Sequence, residues 1–297
     1  MKAMSANSRA FSAIAIAMVS ISFASIFTKW SDSPPFIIAG YRLALTCAML
    51  LPVMVLTGGF SQLKSFDRKE ILLIMLSGVA LAFHFGLWIT SLTLTLVATS
   101  VILVTSHPIF VAGVSHFVLK ERVKKMAAIG IVVAFSGVSL ISISDYSVGG
   151  GKLLGDLLAF LGGLCAGIYF LSGRVARKSI ALTPYAFSVY GLSALLLLVS
   201  AAILGNRIVV TSTHELTLFL LMAIIPTIGG HTMFNYALKK LPAHIVATGV
   251  LGEPVGASIL AYFLLPQEVP GLWIVVGGVL VVGGLYVVLS RGVQSKS

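Results

Sequence analysis

Charge is what this 297-residue sequence has least of. Only 10% of its residues are Asp, Glu, Lys or Arg, against 58% hydrophobic, and the mean hydropathy is +1.06. A soluble domain carries roughly a quarter charged residues, so this scarcity excludes a water-soluble globule and leaves a polytopic membrane protein. Acid is scarcer than base, nine residues against twenty. The excess does not point to nucleic acid, because the basic residues sit in short clusters between apolar runs, which is the pattern of a topology signal. Cysteine is nearly absent: Cys47 and Cys165 each lie inside an apolar run, and no disulfide framework or metal spacing can be built from them. There is no Gly-x-x-x-x-Gly-Lys-Ser/Thr to cradle nucleotide phosphates and no His-Glu-x-x-His, and no Gly-x-Ser-x-Gly stands where a hydrolase needs it. The expectation is a non-enzyme without cofactor or metal.

What is abundant is long apolar runs. A helix needs roughly 20 apolar residues to cross the hydrocarbon core. Ten segments qualify: 10–29, 35–57, 70–92, 95–119, 125–143, 154–173, 184–204, 215–238, 242–265 and 270–290. Lys2 and Arg9 before the first run resemble the start of a signal peptide, but the run is long and helix follows helix, so it reads as span 1. With the N-terminus inside, sixteen of the twenty Lys and Arg fall in inner segments and three (Lys29, Lys152, Arg207) in outer ones; Arg42 is inside span 2. That bias places both termini in the cytoplasm.

The chain repeats itself. Leu92–Val123 and Leu238–Val269 align without gaps at an offset of 146, which sets Pro108 on Pro254, Phe117 on Phe263 and Leu119 on Leu265. Each copy is an apolar run with a central proline and a carboxylate, Glu121 or Glu268, at its far end. Gly130 and Gly137 in span 5 match Gly277 and Gly284 in span 10, and Pro35 and Tyr41 match Pro184 and Tyr190. Five spans per repeat is an odd number, so the second copy enters the membrane from the opposite side. Inverted repeats of this kind characterise secondary transporters whose site lies between the halves near the midplane. The glycine run after Asp145 is the join, which gives repeats 1–145 and 146–297. The glycines of spans 5 and 10, seven apart, form flat helix faces suited either to internal packing or to a dimer contact.

A charged side chain at membrane depth costs on the order of 2.5–3.5 kcal/mol even on the lenient insertion scale, so each one calls for a reason. Arg42 lies about two helical turns into span 2; His84, His107 and Glu253 lie near the middles of spans 3, 4 and 9. His107 and Glu253 occupy equivalent repeat positions and each precedes a proline. Pro108 and Pro254 free the carbonyls of Val104 and Val250, and freed carbonyls in a membrane belong against protein or a wet cavity. Two readings stand: a buried Arg42–Glu253 pair with a merely hydrogen-bonded His107, or residues that contact substrate or carry a proton. Trp88 shares a helix face with His84, and Asn235 with His231. Tyr169 is a further polar aromatic at depth. His231 and Asn235 lie toward the cytoplasmic end, where a gate or a lipid-interface role also fits.

These features resemble the drug/metabolite transporter superfamily of the EamA type, over nearly the whole chain. The resemblance rests on the ten spans in two repeats, on Tyr41-Arg42-Leu43, and on the blocks His107-Pro108-Ile109-Phe110 to Glu121 and Glu253-Pro254-Val255 to Glu268. It implies an inner (plasma) membrane carrier, often an exporter of amino acids or related metabolites, with spans 5 and 10 peripheral and the other eight around a central cavity. The family's span-2 arginine maps to Arg42 and its span-9 glutamate to Glu253. Phe23 and Cys165-Ala166 stand where the family often has Trp and Trp-Ala, and His107 replaces a small or apolar residue.

The expectation is therefore an all-α membrane protein of ten helices, working by alternating access on a small metabolite. Amino acids come first, aromatic ones among them, with protons as the candidate coupling partner. Arg42, His84, Trp88, His107, Tyr169, His231, Asn235 and Glu253 are the candidate substrate-binding residues. Pro108 and Pro254 are the candidate hinges, and Glu121 and Glu268 are expected to tie helix ends. The alternatives are an uncoupled facilitator and a carrier of lipid or another metabolite. The lipid bilayer is the other partner, and the protein is a monomer or a dimer.

Overall fold

A computed structural model describes residues 6–95, 97–149, 153–264 and 272–291. Glu268 and the end of the second proline block, with Gly150 and Gly151 of the join, lie outside the described residues. Among the described residues every regular element is helical: α1 (Ala6–Ile21), α2 (Ala24–Trp30), α3 (Pro35–Leu56), α4 (Gly59–Lys64), α5 (Arg68–Leu94), α6 (Val97–Val104), α7 (His107–Phe117), α8 (Lys125–Gly149), α9 (Leu153–Ala176), α10 (Leu182–Ile203), α11 (Thr213–Met222), α12 (Met233–Leu238), α13 (Ala243–Gly249), α14 (Glu253–Leu264) and α15 (Leu272–Arg291). A π-helical stretch, Ala223–Thr232, joins α11 to α12, and a 3-10 turn, Val250–Gly252, joins α13 to α14.

Seven helical stretches among the described residues are long and apolar enough to cross a membrane: Asn7–Trp30, Pro35–Leu56, Arg68–Leu94, Leu153–Ala176, Leu182–Ile203, Thr213–Leu238 and Ala243–Leu264. The three other segments named from the sequence are helical too, with shorter apolar stretches at Lys125–Gly137 and Val275–Val288 and a broken helix over α6 and α7. Large apolar side chains such as Leu56, Val132, Ile203 and Val279 point outward. A surface of that composition is matched to lipid rather than to water.

The segment expected to be one helix over 95–119 breaks at Thr105–Ser106. Pro108 has no N–H to give to the Val104 carbonyl, and its ring crowds that carbonyl, so the α-helical ladder stops there. Span 1 breaks as well, at Ser22–Phe23, where Ser22 Oγ donates to Met18 O at 2.8 Å. Gly256 admits this bend, since a Cβ there would stand 2.0 Å from Ser22 Oγ.

The helices pack in matched pairs. α3 packs on α10, and α8 on α15; α5 on α9 is mirrored by α1 on the π stretch and α12. Both glycine faces turn inward against each other: a Cβ on Gly137 would lie 2.5 Å from Gly277 O, and one on Gly284 would lie 2.5 Å from Gly130 O. Internal packing of α8 on α15 is thus what those faces do.

One glutamate fastens the two halves at each end of the bundle. Glu121 Oε1 accepts from Arg174 Nε at 2.6 Å and its Oε2 from the Ala243 amide at 3.0 Å, while Arg174 Nη1 donates to Leu238 O at 2.6 Å. At the other end Glu215 accepts from Ser31 Oγ (2.5 Å), Ser33 Oγ (2.6 Å) and the Asp32 amide (3.0 Å). The helix-end tie expected of Glu121 is present, and Glu215 is a second one that the sequence did not single out.

The glycine contact predicts a position-specific effect. Gly284→Ala is expected to lower the thermal midpoint of the detergent-solubilised protein, since overpacking costs about 1–3 kcal/mol. Gly283→Ala, next to it but with nothing within 4 Å, is expected to leave the midpoint unchanged or raise it. Equal behaviour of the two would refute the packing.

Candidate functional site

The proline breaks meet at the centre of the bundle around a cavity of about 30 Å³, lined by residues that include Arg42, His84, Trp88, His107, His231 and Glu253. Six of the eight binding residues expected from the sequence thus face one space. That volume holds a water or two, not a metabolite.

Backbone carbonyls orient two of the imidazoles. His107 Nδ1 lies 2.9 Å from Val104 O, the carbonyl that Pro108 leaves free. A carbonyl only accepts, so Nδ1 carries the proton and Nε2, buried and without a partner, offers a lone pair to the cavity. At the equivalent point of the second half, the carbonyl freed by Pro254 is Val250 O, and the Glu253 amide donates to it. That 3-10 turn starts α14 with the Glu253 side chain against the cavity. His84 Nδ1 donates to Gly162 O at 3.0 Å, and its ring stacks on Trp88 with centroids 6.0 Å apart. Glycine is required at 163 for α9 to approach this closely: a Cβ there would be 2.7 Å from Val104 O.

Arg42 is fully buried. Its Nε donates to Thr227 Oγ1 at 3.0 Å, and its guanidinium carbon sits 4.3 Å from the Phe85 ring centroid, a cation–π contact. Nη1 and Nη2 have no hydrogen-bond partner among the described residues, and no Arg42–Glu253 ion pair forms there. The buried pair that the sequence left open is therefore not made: both residues line the cavity separately. Trp88 Nε1 and His231 Nδ1 are likewise buried without partners. Five orphaned polar atoms around one small space are costly as a packing arrangement and well suited to recognition.

Three of the candidates lie on spans 6 and 8. His231, for which the sequence leaves a binding, gate or lipid-interface role open, sits among His84 (6.1 Å between centroids), Phe85 (5.1 Å) and Tyr169 (6.0 Å). His231 lies within the π stretch, which carries more residues per turn than an α-helix and so turns its residues to a different facing. Tyr169 and Asn235 stand behind the lining instead of on it. Asn235 Nδ2 donates to Tyr169 Oη (2.5 Å) and Tyr190 Oη (3.2 Å), and Tyr190 Oη bonds Thr232 Oγ1 (3.0 Å). Farther along, Tyr185 Oη donates to Ser77 Oγ, which bonds Ser172 Oγ. Beyond the end of α9, Arg177 Nε donates to Asn235 O at 3.1 Å and Nη1 to Ile180 O. Burial pulls Arg177 down to about 10, still charged at neutral pH. Sequence reasoning missed Thr227 and Tyr190; the available signal was a hydroxyl next to Pro226 in mid-span. Among the described residues no cluster of three or more His, Cys, Asp or Glu could hold a metal.

The chain is 26% identical over 295 residues to an uncharacterized transporter of Archaeoglobus fulgidus, covering 96% of this chain and 99% of the relative. It is 24% identical over 270 residues to the uncharacterized transporter YyaM of Bacillus subtilis, covering 83% and 84%. A solved crystal structure shares the fold, with a TM-score of 0.79 over 96% of this chain and 99% of that one at 17% identity. The model of the EamA-like transporter family matches twice, at residues 8–143 and 153–290. With nearly the whole chain matched in two halves, the protein belongs to the EamA-like transporter family.

Proposed function

We propose that this multi-pass protein of the plasma membrane is a secondary transporter that exports amino acids by alternating access. The observation that carries the substrate class is the polarity of the central cavity. Its lining has donors with nothing to donate to, Arg42 Nη1 and Nη2 and Trp88 Nε1. It also has acceptors, the unpartnered His107 Nε2 and the Glu253 carboxylate. A zwitterion answers both, its carboxylate to the guanidinium and its ammonium to Glu253 and the imidazole. Phe170 and Phe234 complete an apolar wall suited to an aromatic side chain. Tyr169 and Asn235 support the lining from behind.

In the proposed cycle the cavity, at about 30 Å³ too small for an amino acid, must widen. Substrate enters only when the lining separates, and the breaks before Pro108 and Pro254 are where spans 4 and 9 bend. The proposed architecture has ten spans in two inverted five-span repeats, residues 1–145 and 146–297, with both termini cytoplasmic. The double family match, the paired packing and the bias of basic residues support it. Glu253 is the candidate proton carrier, being the titratable acid of the lining.

Transport into proteoliposomes tests the reading. A panel of labelled amino acids is presented with and without a transmembrane proton gradient. At least one aromatic amino acid is expected to move, faster with the gradient in wild type and independently of it in Glu253→Gln. Transport indifferent to both gradient and mutation would make the protein a facilitator, and no movement of any amino acid would sink the substrate class. Arg42→Gln is expected to weaken apparent affinity about tenfold or more, because a hydrogen bond to a charged group is worth about 1.5–3 kcal/mol; unchanged affinity would remove Arg42 from the site.

A further inference from the structure

We infer that Thr227 is a specificity-determining positioning residue: it holds the inner edge of the Arg42 guanidinium so that only the two terminal nitrogens face a substrate carboxylate. This rests on the reading of Arg42 as the carboxylate's partner.

The argument starts at Pro226. Without an N–H it cannot bond Met222 O one α-turn earlier, and the helix winds as π over Ala223–Thr232. The π winding brings Thr227 opposite Met222 O, five residues back, and Thr227 Oγ1 donates to that carbonyl at 2.8 Å; Thr232 Oγ1 repeats the pattern on Thr227 O at 3.1 Å. A hydroxyl has one hydrogen. Since that of Thr227 is committed to Met222 O, its oxygen can only accept from the Arg42 side, and it does so from Nε at 3.0 Å. Thr46 Oγ1 donates to Arg42 O at 2.7 Å and approaches Ala223 O at 3.5 Å, which locks the arginine's own turn of helix to the start of the π stretch.

A guanidinium offers a carboxylate two bidentate edges, the side formed by Nε and one Nη and the end formed by both Nη atoms. Thr227 occupies the side edge, and Phe85 covers a face of the plane. The end edge remains, with both nitrogens buried and unpartnered beside the cavity. Thr227 therefore sets which carboxylate geometry the site accepts, without touching the substrate.

Thr227→Val keeps the shape and removes the acceptor, leaving Nε unsatisfied and the guanidinium free to swing. Two readouts test this in the full-length protein. The first needs no ligand: exchange of the Arg42 Nε–H with solvent, followed by NMR of protein labelled with nitrogen-15 arginine in nanodiscs, the signal assigned by its loss in Arg42→Lys. Exchange is expected to speed up in Thr227→Val and to return to the wild-type rate in Thr227→Ser. The second is transport kinetics with L-phenylalanine and its decarboxylated amine as probes. In Thr227→Val the KM for L-phenylalanine is expected to rise about tenfold with kcat little changed, the amine is expected to be unaffected, and serine is expected to restore the acid's KM. If the valine variant does not fold, Thr227→Cys, near-isosteric with a weak sulfur acceptor, carries the same prediction at smaller amplitude.

An unchanged Nε–H exchange rate in the variant overturns the proposal whatever transport does. So does a KM that rises equally for acid and amine, or a KM that does not move in a wild-type background that prefers the acid. A wild type that draws no distinction between acid and amine overturns the reading of Arg42, and this inference with it.

Discussion

Hydrocarbon has no water to give a freed backbone carbonyl, so every proline placed in mid-span leaves an acceptor that the protein must satisfy internally. Three such prolines stand next to residues that line the cavity or hold its arginine, and each freed carbonyl takes a hydrogen bond from the residue beside the proline. The carbonyl freed by Pro108 takes His107 Nδ1, that freed by Pro226 takes the Thr227 hydroxyl, and that freed by Pro254 takes the Glu253 amide. The way each is satisfied sets the site. His107 is fixed in the tautomer that shows an acceptor to the cavity, Thr227 is oriented to accept from Arg42, and α14 begins with Glu253 against the lining.

Arg42 depends on this arrangement most. A buried cation with two unpartnered nitrogens is tolerable only beside a space that admits water or an anion. Its surroundings hold it at Nε, at one ring face and at its backbone without neutralising it. Glu253 lines the same cavity yet forms no ion pair with it. Both residues border one small cavity of about 30 Å³, and on the reading proposed above a zwitterionic substrate answers each of them. The scaffold serves this by keeping its tightest contacts elsewhere: the glycine faces of α8 and α15 interlock away from the cavity, and Glu121 and Glu215 tie the halves at the bundle's two ends.

Much of this is legible in the sequence, for reasons that can be named. Arg42, His84, His107 and Glu253 stand out because charge or polarity at depth is costly, and Pro108 with Pro254 because a missing N–H has a fixed consequence four residues back. What cannot be read depends on facing rather than on cost. Thr227 is an ordinary residue in a membrane helix until Arg42 is seen opposite it. Counting with α-helical periodicity does not give the facing of His231, because the ten residues Ala223–Thr232 wind as π. The glycine faces admit internal packing or a dimer, since small residues suit both, and only the proximity of Gly137 to Gly277 and of Gly284 to Gly130 decides it. Glu215 escapes notice because a glutamate at a helix start is unremarkable by itself.

The central claim is that the end of the Arg42 guanidinium receives a carboxylate. The most direct measurement is a structure of the protein with a transported amino acid bound. The account predicts ligand carboxylate oxygens within hydrogen-bond distance of Arg42 Nη1 and Nη2, with Nε still on Thr227 and the ammonium toward Glu253. A ligand bound elsewhere, with Arg42 closed onto Glu253 as an ion pair, would contradict it.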